Sequence, residues 1–230
     1  YTALTANTTA SNSTAVGYQA LTANTTGATN TAFGKGALLA NTTGNTNVAV
    51  GANALAANVD GDKSVAVGVD ALAAQDPASN VDMYNVAVGD SAGKAVTTGT
   101  TNTFVGGLAG LVNTTGASNT AVGMQSLASN TTGNYNSVLG KYALLYNSTG
   151  ANNVAVGYSS LFANTTASNN TAVGTSALAA NTTGATNTAV GANALDANTT
   201  ASSSVAVGHN AATANTTGAN NVAVGKDSLE

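Results

Sequence analysis

Apolar and polar positions recur along the chain with one fixed beat. A short apolar run closes on a glycine, as in Val48-Ala49-Val50-Gly51 and Thr188-Ala189-Val190-Gly191. A second run, usually Ala-Leu, begins three residues later, and a polar Asn-Thr-Thr-Gly segment separates it from the next copy. The glycine of the first run stands at Gly17, Gly34, Gly51, Gly68, Gly89, Gly106, Gly123, Gly140, Gly157, Gly174, Gly191, Gly208 and Gly225. Successive copies are 17 residues apart, except for the 21 residues between Gly68 and Gly89. A period of this length marks a repeat architecture, each unit being one small element that must stack on its neighbours.

With Asn170–Thr186 as the reference unit, Asn170 is position one and Gly174 position five. Positions two to four carry Val, Thr, Ala, Phe or Leu, with one Ser at Ser137, and such residues favour strand. Consecutive apolar residues predict that both faces of this strand are covered. Glycine at every position five predicts a corner needing φ > 0 or a close backbone approach. Position six varies from Tyr18 and Lys35 to Met124 and His209 and is expected to face solvent. Positions eight and nine, as in Ala37-Leu38 and Ala143-Leu144, predict a second short strand sending one Leu inward per unit. Gly93 and Gly110 occupy the Leu slot in two units, and Phe104 and Leu108 are placed to refill the second. Asn-Thr-Thr-Gly reads as a turn, because Asn tolerates the left-handed region and Gly enters it freely. Ala10, Ala167 and Ala201 replace that Gly, so this corner is the less demanding one. No i, i+3, i+4, i+7 stripe survives so many Gly and Asn/Thr breaks, which excludes helix.

Two strands and two turns per unit make one coil of a β-solenoid. The expectation is an all-β, parallel β-solenoid (β-roll) of about thirteen coils, a single repeat array over residues 1–230. At ~4.8 Å per coil it would be roughly 60–65 Å long. Like side chains would stack, with Asn164, Asn181, Asn198 and Asn215 forming one ladder. A single thin stack buries little apolar surface per coil. Covering the outer face of the Val-Ala-Val strand with other chains, most simply parallel and in register, would add what is missing.

Composition narrows the function. Charged residues are 6 per cent of the chain and the net charge is −4, so no electrostatic footprint for nucleic acid is present. No apolar run reaches the ~18 residues of a membrane span. Cys is absent, so disulfides are excluded. Repeat phase at both ends predicts a segment of a longer array. His209, the only His, lacks a nearby base or nucleophile, and nothing in the chain supports an enzyme. Gly34-Lys35-Gly36 and Gly106-Gly107 precede no helix and are not phosphate loops.

The one break in phase inserts four residues into the loop 76–84, which holds Pro77, the only proline. Insertions of this kind map to loops on one face of a solenoid. Asp60 and Asp62 precede it in the equivalent turn, so Asp60, Asp62, Asp76 and Asp82 are expected near one another. Clustered oxygens suit Ca²⁺, but no Asp-x-Asp-x-Asp-Gly spacing is present, which favours a solvated acidic loop partly paired with Lys63. The Thr columns (Thr25-Thr26, Thr42-Thr43, Thr182-Thr183) raise an ice- or surface-binding module, although adjacent strand residues point to opposite sides and leave one outward column. Asn-Thr-Thr also matches the glycosylation acceptor pattern, but glycans on every coil would collide. Tyr18, Tyr142, Tyr146 and Tyr158 are candidates for a glycan- or surface-binding patch.

The segment Ser13–Leu21, Ser-Thr-Ala-Val-Gly-Tyr-Gln-Ala-Leu, resembles the head repeats of trimeric autotransporter adhesins. The longer unit with Asn-Thr-Thr-Gly is also similar to repeats of phage-type tail-fibre proteins. The resemblance covers the whole chain, with a unit longer than the adhesin repeat. It implies a left-handed β-roll packed as a parallel homotrimer, in a structural or adhesive segment of an extracellular fibre at a cell or virion surface. The implied partners are further copies of the chain and a host-cell or environmental surface.

Overall fold

The computed structural model describes residues 2–229, which fall into two compact units, Tyr1–Ser118 and Asn119–Glu230. The first carries β1 (Thr14–Val16), β2 (Thr31–Phe33), β3 (Val48–Val50), β4 (Val65–Val67), β5 (Val86–Val88) and β6 (Thr103–Val105). The second carries β7 (Thr120–Val122), β8 (Ser137–Leu139), β9 (Val154–Val156), β10 (Thr171–Val173), β11 (Thr188–Val190), β12 (Val205–Val207) and β13 (Val222–Val224). Within each unit the strands pair in parallel in chain order, each residue with its equivalent one coil on, as Ala15 with Ala32 and Ala155 with Ala172. Val65 pairs with Val86 across the longer unit, so the four extra residues bulge out without disturbing register. No helix occurs among the described residues. Each unit is the expected parallel β-solenoid with a 17-residue coil.

The position-five glycines meet both conditions set for them. Their φ values run from +124° to +141°, where L side chains are strongly disfavoured. A Cβ on Gly17 would also lie 2.6 Å from the carbonyl oxygen of Gly34. The coils approach so closely here that only a hydrogen fits between them.

The second strand is not there. Positions eight and nine lie in consecutive tight turns, with Leu21, Leu144 and Leu178 at φ of +50°, +50° and +52°. Position seven (Gln19 at +60°) and position seventeen (Thr29 at +61°) are left-handed as well. Inter-coil hydrogen bonds persist on this arm, from Leu21 N to the Ala37 carbonyl at 3.0 Å and from Leu161 N to the Ala177 carbonyl at 2.9 Å. Holding Leu left-handed costs about 1–2 kcal/mol. Full burial of its side chain returns about 1.5–3 kcal/mol, so the inward Leu tolerates the turn that a surface Leu would not.

The chain by itself covers only one face of the strand, and the turn chemistry expected of Asn-Thr-Thr-Gly fails. From β2 onward only position three of each strand is buried, as Ala32, Ala87 and Ala172, and Ala15 of β1 is half-buried; positions two and four lie on the outer face, partly or fully exposed. The expected glycines of the second corner, such as Gly27, Gly44 and Gly184, have no positive φ, and the Asn beside them has none either. Hydrogen bonding explains the motif instead. Asn41 Nδ2 donates to the Gly44 carbonyl at 3.0 Å and to Asn24 Oδ1 of the preceding coil at 2.7 Å. A second buried Asn, at position one, points to the same carbonyl: Asn30 Nδ2 to Gly44 O at 2.7 Å. Its Oδ1 accepts the next coil's backbone, Asn47 N, at 2.9 Å. Two Asn ladders therefore fill one end of the coil interior, where the sequence reading placed one. Asn164, Asn181 and Asn198 follow the pattern at 2.8–3.0 Å, but Asn215 leaves it: it bonds Gly218 and Asn221, and Asn198 Oδ1 has no partner.

The ladder makes a testable demand. Asn147 donates to Asn130 Oδ1 and Gly150 O, both at 2.9 Å, and accepts from Asn164 at 2.8 Å. Asn147→Ala removes three buried hydrogen bonds, while Gly150 O keeps its bond from Asn136 at 3.0 Å and Asn164 its bond to the Ala167 carbonyl at 3.0 Å. The expected loss is about 1–3 kcal/mol in urea unfolding; a loss under about 0.5 kcal/mol would show that water replaces the ladder.

Where the repeat changes, the interior changes in compensating pairs. Ser64 is shorter than the usual position-one Asn, and Gln75 is longer than the usual position-twelve Asn. Gln75 Nε2 reaches Ser64 Oγ and Asn58 Oδ1, both at 3.0 Å, and Gln75 Oε1 accepts from Asn85 at 2.9 Å. Phe104 replaces a position-three Ala and occupies the room that Gly93 and Gly110 leave. Leu108, expected to help, is partly exposed and does not.

Candidate functional site

Three parts of the coil surface hold side chains able to recognise something: the insertion loop, the outer face of the strands, and the outer face of the turn arm. Position six is outward, as expected; Tyr18, Lys35, Met124, Tyr158 and His209 are all exposed.

The insertion loop is anchored by its apolar members. Pro77 and Met83 are buried and pack at the Gly61 corner, within 3.1 Å and 3.2 Å of where a Cβ would sit. The acidic residues go to separate protein donors. Asp60 Oδ1 accepts from Thr43 Oγ1 at 2.6 Å, and Asp62 Oδ1 from Asn45 N at 2.6 Å. Asp76 Oδ1 accepts from Val59 N at 3.2 Å. Asp82 Oδ2 meets Lys63 Nζ at 2.7 Å and the Tyr84 hydroxyl at 3.1 Å. The hydrogen bond from Lys63 holds the Asp82 carboxyl below its ordinary range, and the same bond raises Lys63. Asp62 and Asp82 are joined only by a backbone bridge. Among the described residues, no group of three or more His, Cys, Asp or Glu is arranged to hold a metal ion. The sequence brought Asp60, Asp62, Asp76 and Asp82 into one region, but their oxygens do not converge, because each caps a neighbouring coil's N–H, hydroxyl or ammonium. Added calcium is expected to leave the melting temperature unchanged, with and without chelator. A calcium-dependent rise of several degrees would show that the four carboxylates regroup around the ion.

The Thr columns divide in the same way. The first Thr of each pair spends its hydroxyl on the next coil, as Thr25 Oγ1 to Thr42 O at 3.1 Å and Thr182 Oγ1 to Thr199 O at 3.0 Å. Only the second, as Thr26 and Thr183, is exposed. His209 is exposed, with Asp227 at 3.7 Å.

The outer strand face is the most regular surface of each unit. Val16 is 47 % exposed, Phe33 57 % and Leu139 53 %. None of the residues at positions two and four of any strand is charged. Parallel register sets these side chains in two columns, one step of ~4.8 Å per coil.

The turn arm of the second unit gathers aromatic side chains. Tyr142 and Tyr158 stand edge to face at 6.0 Å, and Tyr146 and Phe162 at 5.0 Å. Lys141 Nζ lies 4.7 Å from the Tyr142 ring centroid. The sequence reading named three of these aromatics but missed Phe162 and grouped them with Tyr18, which belongs to the first unit. The missed signal is that four of the ten Tyr and Phe residues fall within residues 142–162, at positions six, seven, ten and eleven of two successive units.

No helix is long and apolar enough to cross a membrane among the described residues. No family model, curated protein or solved structure matches the chain.

Proposed function

We propose that the chain is a structural and adhesive segment of an extracellular fibre, assembled as a parallel homotrimer through the outer faces of its strands. One observation carries the reading: both columns of that face are apolar or hydroxyl-bearing, partly or fully exposed and free of charge in every coil. Solvent-facing strand positions ordinarily carry charge to prevent association, and a continuous apolar stripe of this kind marks an interaction surface. A partner in parallel register meets the stripe coil by coil, Val against Val, so one contact repeats along the fibre. The resemblance to adhesin head repeats supports the trimer and the left-handed coil, and the resemblance to tail-fibre repeats makes the shaft of a phage fibre the closest variant. An ice-binding module has less support, because one hydroxyl of each Thr pair is already bonded within the protein.

The test is the mass in solution. The chain is 22.0 kDa, and sedimentation equilibrium is expected to give three times that value. Val156→Lys with Val173→Lys places two ammonium groups on the face of β9 and β10 and is expected to yield monomer or precipitate. A wild-type chain that stays monomeric at high concentration would overturn the reading.

A further inference from the structure

The aromatic residues on the turn arm of the second unit line a cleft of about 440 Å³, together with Gln125 and Ser159. That volume falls within the ~300–1,000 Å³ of small-molecule sites. We infer that this cleft is a carbohydrate-binding site, recognising neutral pyranose oligosaccharides by stacking sugar C–H faces on Tyr142, Tyr146, Tyr158 and Phe162.

The chemistry of the lining selects that class. A pyranose presents an apolar C–H face and a rim of hydroxyls. The C–H face suits the electron-rich face of an aromatic ring. The rim needs groups that both donate and accept, which tyrosine and serine hydroxyls and the glutamine amide supply. Among the described residues, no hydrogen bond within the protein takes up the side-chain polar atoms of Gln125, Ser159 or the three tyrosines, so they remain available to a ligand. Charge is nearly absent: no Asp or Glu lies between Asp90 and Asp196, and the single nearby cation, Lys141, sits against the Tyr142 ring. Asp196 follows Phe162 and Ala179 in their column but does not line the cleft, so a cationic ligand would find no counter-charge among the lining residues, and an anionic one would find only the exposed Lys141 ammonium beside it.

The cleft is a local addition to the coil. In the next coil the positions of Tyr158 and Ser159 are held by Thr175 and Ser176, and that of Phe162 by Ala179. The coil folds equally well with these small residues, so the aromatic set is not required by the solenoid. The first unit supplies an internal comparison. On the same arm it has a cleft lined by Ala73, Ala74, Lys94, Ala95, Leu111 and Val112, which offers aliphatic surface with no aromatic face.

The inference goes beyond the fibre reading, since the cleft lies within one chain and a saccharide titration does not depend on assembly mass. The 230-residue chain is titrated with neutral tetrasaccharides of β1,4-glucose, β1,4-N-acetylglucosamine, α1,4-glucose and α1,2-mannose. Binding is read by saturation-transfer NMR and by tyrosine fluorescence, the chain having no Trp. At least one tetrasaccharide is expected to bind saturably, with saturation concentrated on its ring C–H protons. Tyr142→Ser with Tyr158→Thr, residues the next coil already carries, should weaken binding at least tenfold and leave the melting temperature within a few degrees. Tyr18→Ala and Tyr135→Ala should leave binding unchanged. Failure of all four sugars to bind, or binding that survives the double substitution, overturns the assignment.

Discussion

Gly157→Ala is expected to destabilise the second unit by about 3–5 kcal/mol, while Gly133→Ala in the same unit costs less than about 1 kcal/mol. Both exchange one hydrogen for one methyl. Gly157 has φ of +128°, and a Cβ there would lie 2.5 Å from the Gly174 carbonyl oxygen and 2.6 Å from its carbon. Left-handed strain of this kind costs about 1–3 kcal/mol by itself. The clash adds to it, because the opposing atoms are backbone held by the coil's own ladder and cannot rotate away. A Cβ on Gly133 would crowd the Gly150 carbonyl oxygen as closely, but Gly133 has no positive φ, and the chain places Ala167 and Ala201 at the equivalent position, so the coil accommodates a methyl there. There the bond from Asn to the corner carbonyl survives, Asn164 reaching the Ala167 carbonyl at 3.0 Å and Asn198 the Ala201 carbonyl at 3.1 Å. Urea unfolding of the two variants under one protocol makes the comparison. Equal losses would show that close approach, common to both corners, outweighs φ. Because each coil contacts only its neighbours, the Gly157 variant should also open locally around residues 140–174, which hydrogen exchange would resolve from global unfolding.

The same contrast shows how far the sequence could be read. An unbroken column of Gly17 through Gly225 has one physical explanation, so corner, coil and parallel stacking were all legible from it. The inward Leu was legible too, because it is the largest apolar residue at a fixed place. Its backbone was not. Leu has no intrinsic tendency towards φ near +50°, and only the stacked hydrogen bonds of the folded coil impose it. What covers the outer face of the strand was not legible, because Val-Ala-Val looks the same whether the second face is covered by the chain or by a partner. The role of the position-one Asn was missed for a related reason. Its side chain reaches a carbonyl fourteen residues away in its own coil, as Asn30 to Gly44, a separation no local turn rule contains. The aromatic cleft was half legible: Tyr142, Tyr146 and Tyr158 stood out by type, but only the coil geometry brings Phe162 beside Tyr146.

Phe104→Ala should cost the first unit about 3–5 kcal/mol, and Gly93→Leu with Gly110→Leu should restore most of that loss. Phe104 is fully buried at a strand position held elsewhere by Ala, apart from Val138. Its ring fills the two neighbouring Leu slots. A Cβ on Gly110 would lie 2.5 Å from Phe104 Cε1 and one on Gly93 2.9 Å from Phe104 Cδ2. Removing the ring therefore opens a void bounded by two glycines that cannot close it, which places the variant at the costly end of core truncations. Both glycines have φ of +58°, close to the +49° of Leu72 one coil earlier. Leu introduced there meets the backbone it adopts in every regular coil, so the triple variant rebuilds the standard interior. The two Gly→Leu changes alone, with Phe104 kept, overpack the core and should destabilise by at least about 1–3 kcal/mol. Two separately damaging sets of changes that combine into a stable protein give a large coupling energy of opposite sign to either loss. Thermal and urea unfolding of the three variants measure it. A triple variant no more stable than Phe104→Ala would mean that the ring does not stand in for the two missing leucines, and that the coils on either side reach their spacing by some means other than filling this space.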